Sequence, residues 1–255
     1  IVIVGHGQVG REIEKILLTG NYGLEIYDPP QGHFDQNRIN DHCLVSFVAV
    51  PTSLEPNSGF LNTQLLEETL SWLKTPFVVI RSTINIGDTD KLISQTDKQI
   101  CYSPAWGPGE TVSHPFRDAP GDKFLVLAGS PGAVSMAREI YTHCYPSTVQ
   151  FIETTPVAAE IAKLAENAFL GLRTTFFQEI SDICQAHKAN YWQVRDILGE
   201  DARIGLSHSF PMGGYNSSCL NKDIPALVAN SITGAPLIQA VTEVNRRQRN
   251  AVAED

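Results

Sequence analysis

Ile1-Val2-Ile3-Val4-Gly5-His6-Gly7-Gln8-Val9-Gly10 is the stretch that decides how this chain is read. Four apolar β-forming residues run straight into a Gly-x-Gly-x-x-Gly turn. Val9, Ile13, Ile16 and Leu17 then recur at the spacing of one helical face, as far as Leu18. In such a strand–turn–helix the first glycine permits the tight turn. The second lets backbone approach a pyrophosphate, and the third lets the helix pack on the strand. The helix N-terminus adds free N–H groups and a partial positive charge suited to phosphates. Asp28 ends the next strand, 18 residues after Gly10. A carboxylate there suits the ribose hydroxyls of NAD and repels the extra phosphate of NADP, and no Arg follows it closely. The expected cofactor is therefore NAD, with Gly5, Gly7, Gln8, Val9, Gly10 and Asp28 among its contacts. A bare glycine turn also occurs in sheet proteins that bind something else; the strand–turn–helix–strand–Asp context is what favours a dinucleotide.

Outward from that turn, apolar runs alternate with helical patterns. Strands are expected at Ile1–Val4, Leu24–Tyr27, Cys43–Val50, Phe77–Arg81, Gln99–Tyr102 and Phe124–Ala128, with a short one at Val149–Ile152. Helices are expected at Val9–Leu18, at Leu61–Leu73 and from Pro131 to about Thr142. This alternation implies βαβ units and a parallel sheet. At Thr154-Thr155-Pro156 the pattern changes: Thr155 suits a helix cap and Pro156 a first helical position. An amphipathic segment follows to about Lys188, with Val157, Ile161, Leu164, Ala168, Leu172 and Phe176 on one face. Glu160, Lys163, Asn167 and Thr174 lie opposite. Tyr191–Leu198 reads as a helix, Gly205–Ser218 as a loop, and Ala226–Val252 as helix broken near Thr233-Gly234-Ala235-Pro236. The expected fold is α/β: a Rossmann-like doubly wound parallel sheet over residues 1–153, followed by an all-helical domain over residues 154–255.

Bulk properties narrow the partners. A chain of 255 residues with 42% hydrophobic and 18% charged residues suits one nucleotide-binding domain and a smaller companion. A formal net charge of -9 disfavours nucleic acid and anionic membranes as main partners. No apolar run approaches the roughly 20 residues of a membrane span. The five cysteines, Cys43, Cys101, Cys144, Cys184 and Cys219, show no metal or disulfide spacing, so no metal is expected and a reducing cytoplasm is the expected location. Ile1 starts a strand at once, which suggests that a few residues precede it.

Three further stretches carry a resemblance. They are Val48-Ala49-Val50-Pro51-Thr52 with Arg81-Ser82-Thr83-Ile84; Glu160-Ile161-Ala162-Lys163-Leu164-Ala165-Glu166-Asn167-Ala168-Phe169; and Asp201-Ala202-Arg203-Ile204-Gly205 with Cys219-Leu220-Asn221-Lys222-Asp223. In this order they resemble the UDP-glucose/GDP-mannose dehydrogenase family over essentially the whole chain. The helix around Lys163 and the Cys-x-x-Lys-Asp tail are its specific parts. That family oxidises the primary alcohol of a nucleotide sugar to a carboxylate with two NAD. The resemblance implies a thiol nucleophile at Cys219, oxyanion groups at Lys163 and Asn167, and a proton-handling carboxylate at Asp223. It further implies a hydroxyl near the reacting centre at Thr83, cofactor contacts at Pro51, Thr52 and Thr83, and substrate contacts at Lys163, Asn167 and Arg203. Arg203 in the family often reaches across a dimer interface. A homodimer is implied, with the final long helix, bearing Val241, Val244 and Asn245, as its core. Spacing agrees with one part of this: Lys163 and Asn167 are four apart and hence neighbours on a helix face.

Each of these residues has an ordinary explanation as well. Lys163 and Asn167 also suit the solvated face of an amphipathic helix, and Cys219 a small packed residue. Thr83 suits a turn cap and Arg203 a surface charge. His6 and His114 are read as incidental, and Trp72, Trp106 and Trp192 as packing.

Four departures from the family stand out. Ala105 replaces a glutamate tied to thioester hydrolysis, and Gly109 a second one, with Glu110 one place along. Tyr215-Asn216-Ser217-Ser218 replaces an aromatic-Gly-Gly run, and Asn85 stands where a Pro follows Ser-Thr-Ile. Finally, the chain stops near Asp255, where family members continue into a second Rossmann-like domain for the nucleotide; the altered motifs favour a natural short form. The leading expectation is an NAD-dependent dehydrogenase acting on a nucleotide sugar or related alcohol. The alternatives are a catalytically impaired NAD-binding homologue, a single-step dehydrogenase of the β-hydroxyacid type, and a component whose missing domain comes from a partner chain.

Overall fold

A computed structural model describes residues 1–106 and 124–254, with side chains to residue 251. Seven strands form one sheet: β1 (Val2–Val4), β2 (Glu25–Tyr27), β3 (Val45–Val48), β4 (Phe77–Ile80), β5 (Gln99–Tyr102), β6 (Phe124–Gly129) and β7 (Gln150–Thr154). Their order is β2-β1-β3-β4-β5-β6-β7. The sheet is not wholly parallel, as the alternation of elements had suggested. β6 runs antiparallel to β5, and β7 follows β6 in parallel register. Nothing in strand composition marks such a reversal, because it is set by the connection and not by the strand.

Strands covered on both sides need apolar side chains at successive positions, and β1, β3 and β4 read VIV, VSFV and FVVI. Alternate residues then serve opposite faces. Val2, Val4, Val48 and Ile80 join one core cluster with Leu66 and Leu70 of α3 (Gln64–Trp72) and Leu92 of α4 (Asp88–Gln95). Ile3, Phe47 and Val79 join the other with Ile13 and Leu17 of α1 (Gln8–Thr19) and Ala137 and Ile140 of α5 (Pro131–Cys144). A short helix α2 (Gln36–His42) precedes β3, capped by Asp35. Neither α2 nor α4 is expected from periodicity: both are two turns or so long and carry too few apolar residues to show a stripe.

α6 (Pro156–Ala186) is 31 residues long, about 46 Å at the usual rise per residue. The chain divides into two compact units, one of residues 1–53 and 61–163, the other of residues 54–60 and 164–255, so the division falls inside α6. The second unit adds α7 (Tyr191–Glu200), α8 (Ser218–Ala229) and α9 (Pro236–Glu254). Ala168, Tyr215, Ile224 and Val241 form one of its cores, and Phe177, Cys184 and Tyr191 another. Gly171 lets α6 approach α8 closely: a Cβ there would sit 2.4 Å from Ile224 Cδ1. α8 starts at Ser218, well before Ala226, because Ser217 caps it by accepting the Leu220 N–H at 3.1 Å.

The face of α6 expected to meet water is buried, and the expected apolar stripe is split. Glu160, Lys163, Asn167 and Thr174 are all buried; of the stripe, Leu164 and Ala168 are buried as well, while Val157, Ile161 and Phe176 are exposed. The polar side chains have specific partners, which hydropathy does not register. Glu160 is fully buried, and its carboxylate accepts the backbone N–H of Gly87 at 2.6 Å and of Thr89 at 2.8 Å. Those two groups lie at the start of α4, where N–H donors have no helical acceptor. Glu160 thus closes the N-terminus of α4 with a carboxylate carried on another helix.

Removing that carboxylate leaves buried donors unmade, so Glu160→Ala should lower the unfolding free energy by about 1–3 kcal/mol in urea. Burial pushes the Glu160 carboxyl above its usual range, against the pull of both N–H bonds. A raised folded value means that the folded chain holds the proton more tightly than the unfolded chain. The resulting stabilisation is present below the ordinary carboxylate value and declines as pH rises through the raised one. Urea unfolding across that pH range should show this decline in the wild type and a flatter profile in Glu160→Gln.

Candidate functional site

In the first unit the glycine turn is built by steric necessity. Gly5 has φ +87°, and a Cβ there would lie 2.5 Å from the Ala49 carbonyl oxygen. A Cβ on Gly10 would lie 2.0 Å from the Gly5 carbonyl oxygen. Gly7, by contrast, faces open space within 4 Å of where its Cβ would stand. It is the residue before α1, so the first-turn N–H groups, with Gln8 and Val9 at the first two helical positions, begin beside that opening. Two glycines are needed for packing and one leaves room, which is the cradle a pyrophosphate requires.

Asp28 follows β2 and is nearly buried. Its Oδ2 accepts the His6 backbone N–H at 2.6 Å and the Gln31 side-chain amide at 3.0 Å. The His6 contact to Asp28 is made by its backbone, and its side-chain Nε2 lies 2.8 Å from Glu14 Oε2. Further along the same edge, Thr52 Oγ1 donates to the Thr83 carbonyl at 2.6 Å and Ser82 Oγ to the Val50 carbonyl at 2.7 Å, joining the segments after β3 and β4. Pro51 and Thr52 follow β3 and Thr83 follows β4, so the expected cofactor contacts of this unit lie at the carboxyl ends of β1 to β4. The sheet order reverses between β1 and its neighbours β2 and β3, the place where open α/β sheets present ligand crevices. Lys163 is buried with its Nζ 5.1 Å from the centroid of the Trp106 ring. Trp106 thus does more than pack, although it also lies 5.2 Å from the Phe124 ring, centroid to centroid. Trp72 packs on Tyr27, and Trp192 is half-exposed beside Tyr191 and Phe210. Ala105 is described; Gly109, Glu110 and His114 lie outside the described residues.

In the second unit Asp223 is fully buried in α8. Its Oδ2 accepts the Asn167 amide at 2.6 Å and its Oδ1 the Lys222 ammonium at 2.6 Å. Cys219 lies one turn earlier, in the first turn of α8, and its side chain is exposed. It sits on a helix and not in a loop, and is not the packed residue that a lone cysteine usually is. Arg203 has a different partner: it is exposed and grips Asp201 with Nε at 3.0 Å and Nη2 at 2.5 Å, holding that carboxyl below its usual range. Among the described residues no cluster of three or more His, Cys, Asp or Glu is placed to hold a metal ion. No helix among them is long and apolar enough to cross a membrane.

Residues 157–247 match the central domain of the UDP-glucose/GDP-mannose dehydrogenase family. A UDP-glucose 6-dehydrogenase of Rhizobium meliloti is 30% identical over 186 residues, which are 69% of this chain and 42% of that protein. The chain is a relative of the UDP-glucose/GDP-mannose dehydrogenases. Solved structures agree on the fold. A UDP-D-ManNAc dehydrogenase of Pyrococcus horikoshii superposes with a TM-score of 0.84 at 18% identity, covering 100% of this chain and 70% of that one. Psf3, solved with NADP+ and 2-OPP, superposes with a TM-score of 0.67 at 16% identity and covers 97% of this chain and 95% of its own. The chain thus spans less than half the length of its Rhizobium relative.

Sequence reading missed two residues of this family scaffold. Glu160 was assigned to water, and Gln31 carries no motif; only the tertiary partners reveal either. Asn167 and Asp223 form a largely buried pair. A double-mutant cycle of Asn167→Ala and Asp223→Ala, followed by urea unfolding, should return a coupling of about 0.5–3 kcal/mol. Additive losses would mean that the two side chains do not act as a unit.

Proposed function

We propose that the chain is an NAD-dependent dehydrogenase acting on a nucleotide sugar or a related primary alcohol. Residues 1–153 would serve the cofactor and residues 154–255 substrate and dimerisation. The observation that carries the reading is the glycine turn with space at Gly7 and the Asp28 carboxylate bonded to the turn's own backbone. The donor set suits a dinucleotide: helix N–H groups for the phosphates and a carboxylate for ribose hydroxyls. Gly5, Gly7, Gln8, Val9, Gly10, Asp28, Pro51, Thr52 and Thr83 would hold it. Bound NAD supplies a hydride acceptor.

The chain's own groups would do the rest. The Lys163 ammonium and the second amide hydrogen of Asn167 are donors for an alkoxide or oxyanion, each worth roughly a few kcal/mol in a site closed to water. Asp223 orients the Asn167 amide and handles the proton released from the alcohol. The Cys219 sulfur adds to the aldehyde carbonyl, forming a C–S bond while the carbonyl oxygen gains a proton. Loss of a hydride from that adduct's carbon to a second NAD, and of its hydroxyl proton, would leave a thioester; water adding to the thioester carbonyl would then break the C–S bond, releasing a carboxylate and a proton and restoring the thiol. Arg203 would bind the substrate's anionic part after letting go of Asp201.

Ala105 favours a second reading: with no carboxylate there to serve a thioester route, the reaction would be a single hydride transfer that ends at an aldehyde or ketone and forms no thioester. Counting NADH per substrate consumed separates the two, giving two for full oxidation and one for the shorter course. In the full course Cys219→Ser should still make the first NADH but release no acid; unchanged acid formation would remove the thiol from the mechanism. NAD binding without turnover of any nucleotide sugar or hydroxy acid would instead point to the impaired homologue.

The dimer expected from the family is best placed on α6. Phe169, Phe176 and Ile183 recur every seven residues on that helix and are 57%, 47% and 55% exposed. A stripe of this kind suits a second copy of the same helix. On the final helix, Asn245 is instead committed within the unit, its amide meeting both the N–H and the carbonyl of Tyr215. Phe176→Glu should shift the chain from dimer to monomer in light scattering. A cytoplasmic location is proposed with this reading, since all five cysteines are unpaired.

A further inference from the structure

Gln31 is exposed and lies in no motif, yet its side-chain amide bridges two parts of the glycine-turn region. Nε2 donates to the His6 carbonyl at 2.9 Å and to Asp28 Oδ2 at 3.0 Å. Asp28 Oδ2 also takes the His6 N–H at 2.6 Å. The amide and carbonyl of one turn residue are therefore joined through one carboxylate and one side-chain amide in a closed ring.

The segment that delivers Gln31 is stiff. Asp28 is followed by Pro29 and Pro30, whose φ angles are fixed by their rings, in a short 3₁₀ turn. Gly32 closes the turn at φ +86°, and Asp28 and His33 exchange backbone bonds at 2.8 and 3.2 Å. The other side of His6 is held too, by Glu14 at Nε2 and by Arg11, whose Nη1 reaches the His6 carbonyl at 3.2 Å. With Oδ2 committed, Oδ1 of Asp28 is the oxygen that accepts no hydrogen bond among the described residues.

We infer that Gln31 is a positioning residue for the cofactor: it latches Asp28 to the glycine turn so that Oδ1 is presented to the ribose on the adenosine side. This rests on the NAD reading above and deepens it. The latch uses the two hydrogens of an amide, so a glutamate of the same shape cannot replace it and would set a second negative charge against Asp28. It also acts at one end of the ligand. A weakened latch harms ligands that carry the adenosine-side ribose and spares those that lack it.

The test is fluorescence titration of the full chain with NADH, with ADP-ribose and reduced nicotinamide mononucleotide measured by competition. Gln31→Ala should weaken NADH and ADP-ribose by the same factor, roughly five- to tenfold, and leave the mononucleotide unchanged. Gln31→Glu should weaken the first two further. The melting temperature without ligand should stay at the wild-type value, which a merely structural role for Gln31 would not allow. If Asp28→Ala loses NADH affinity while Gln31→Ala and Gln31→Glu bind ADP-ribose as the wild type does, the latch is wrong and the cofactor reading stands. If the wild type binds neither NADH nor ADP-ribose, the cofactor reading falls and the latch with it.

Discussion

Everything in the first unit depends on how closely the start of α1 can approach the turn that leaves β1. The Gly5 carbonyl oxygen occupies the place where a side chain on Gly10 would begin, and the Ala49 carbonyl crowds Gly5 in the same way. A larger residue at Gly10 pushes helix from strand, and with it the first-turn N–H groups that make the helix N-terminus useful to an anion, while one at Gly5 pushes the turn away from the segment that follows β3. The constraint is one of volume, which is why it is visible in a linear sequence. A glycine that packs and a glycine that leaves room look alike in sequence; of the three glycines of the turn, Gly7 alone has open space before it.

Strand and helix order were legible for the same kind of reason. A strand covered on both faces is apolar at nearly every position, and VIV, VSFV and FVVI announce that directly, with buried Ser46 satisfied by the Thr75 hydroxyl. Long α6 was legible from its periodicity and from Thr155-Pro156. The direction of β6 was not, because an antiparallel neighbour needs no change in strand composition. Nor was the start of α8. The loop ends near Ser218 as expected, but the helix is expected only from Ala226, which leaves Cys219 outside any element.

The burial of the polar face of α6 is the more instructive failure. Hydropathy ranks Glu160, Lys163 and Asn167 as residues for water because it weighs each side chain alone. Folding weighs them with partners. Glu160 meets two backbone donors, and Asn167 meets Asp223. Lys163 lies against the face of Trp106. Once those contacts are made, part of the apolar stripe, Val157, Ile161 and Phe176, remains exposed, while Leu164 and Ala168 still pack inside. Family resemblance singled out Lys163 and Asn167, whose buried contacts periodicity does not foresee, because motifs carry information about partners that hydropathy discards. Gln31 and Glu160 lay beyond both, since neither belongs to a quoted role and each acts through a residue distant in sequence.

Burying Asp223 beside Asn167 and Lys222 is a poor way to stabilise a helical unit. Two charged groups give up water, and an apolar trio of similar volume often holds a core as well or better. The arrangement makes more physical sense as preparation. A carboxylate with one oxygen on an ammonium and the other on an amide fixes the amide's plane, so its remaining hydrogen points one way before any ligand arrives. An oxyanion met by such a donor requires no reorganisation at the moment it forms, which is where electrostatic catalysis gains most of its effect. The same logic holds at Asp28, where one oxygen is occupied so that the other is aimed. In each unit, then, a carboxylate spends hydrogen bonds on neighbours to orient a group that stays available. That shared economy is better explained by ligands to be met than by the needs of the fold alone.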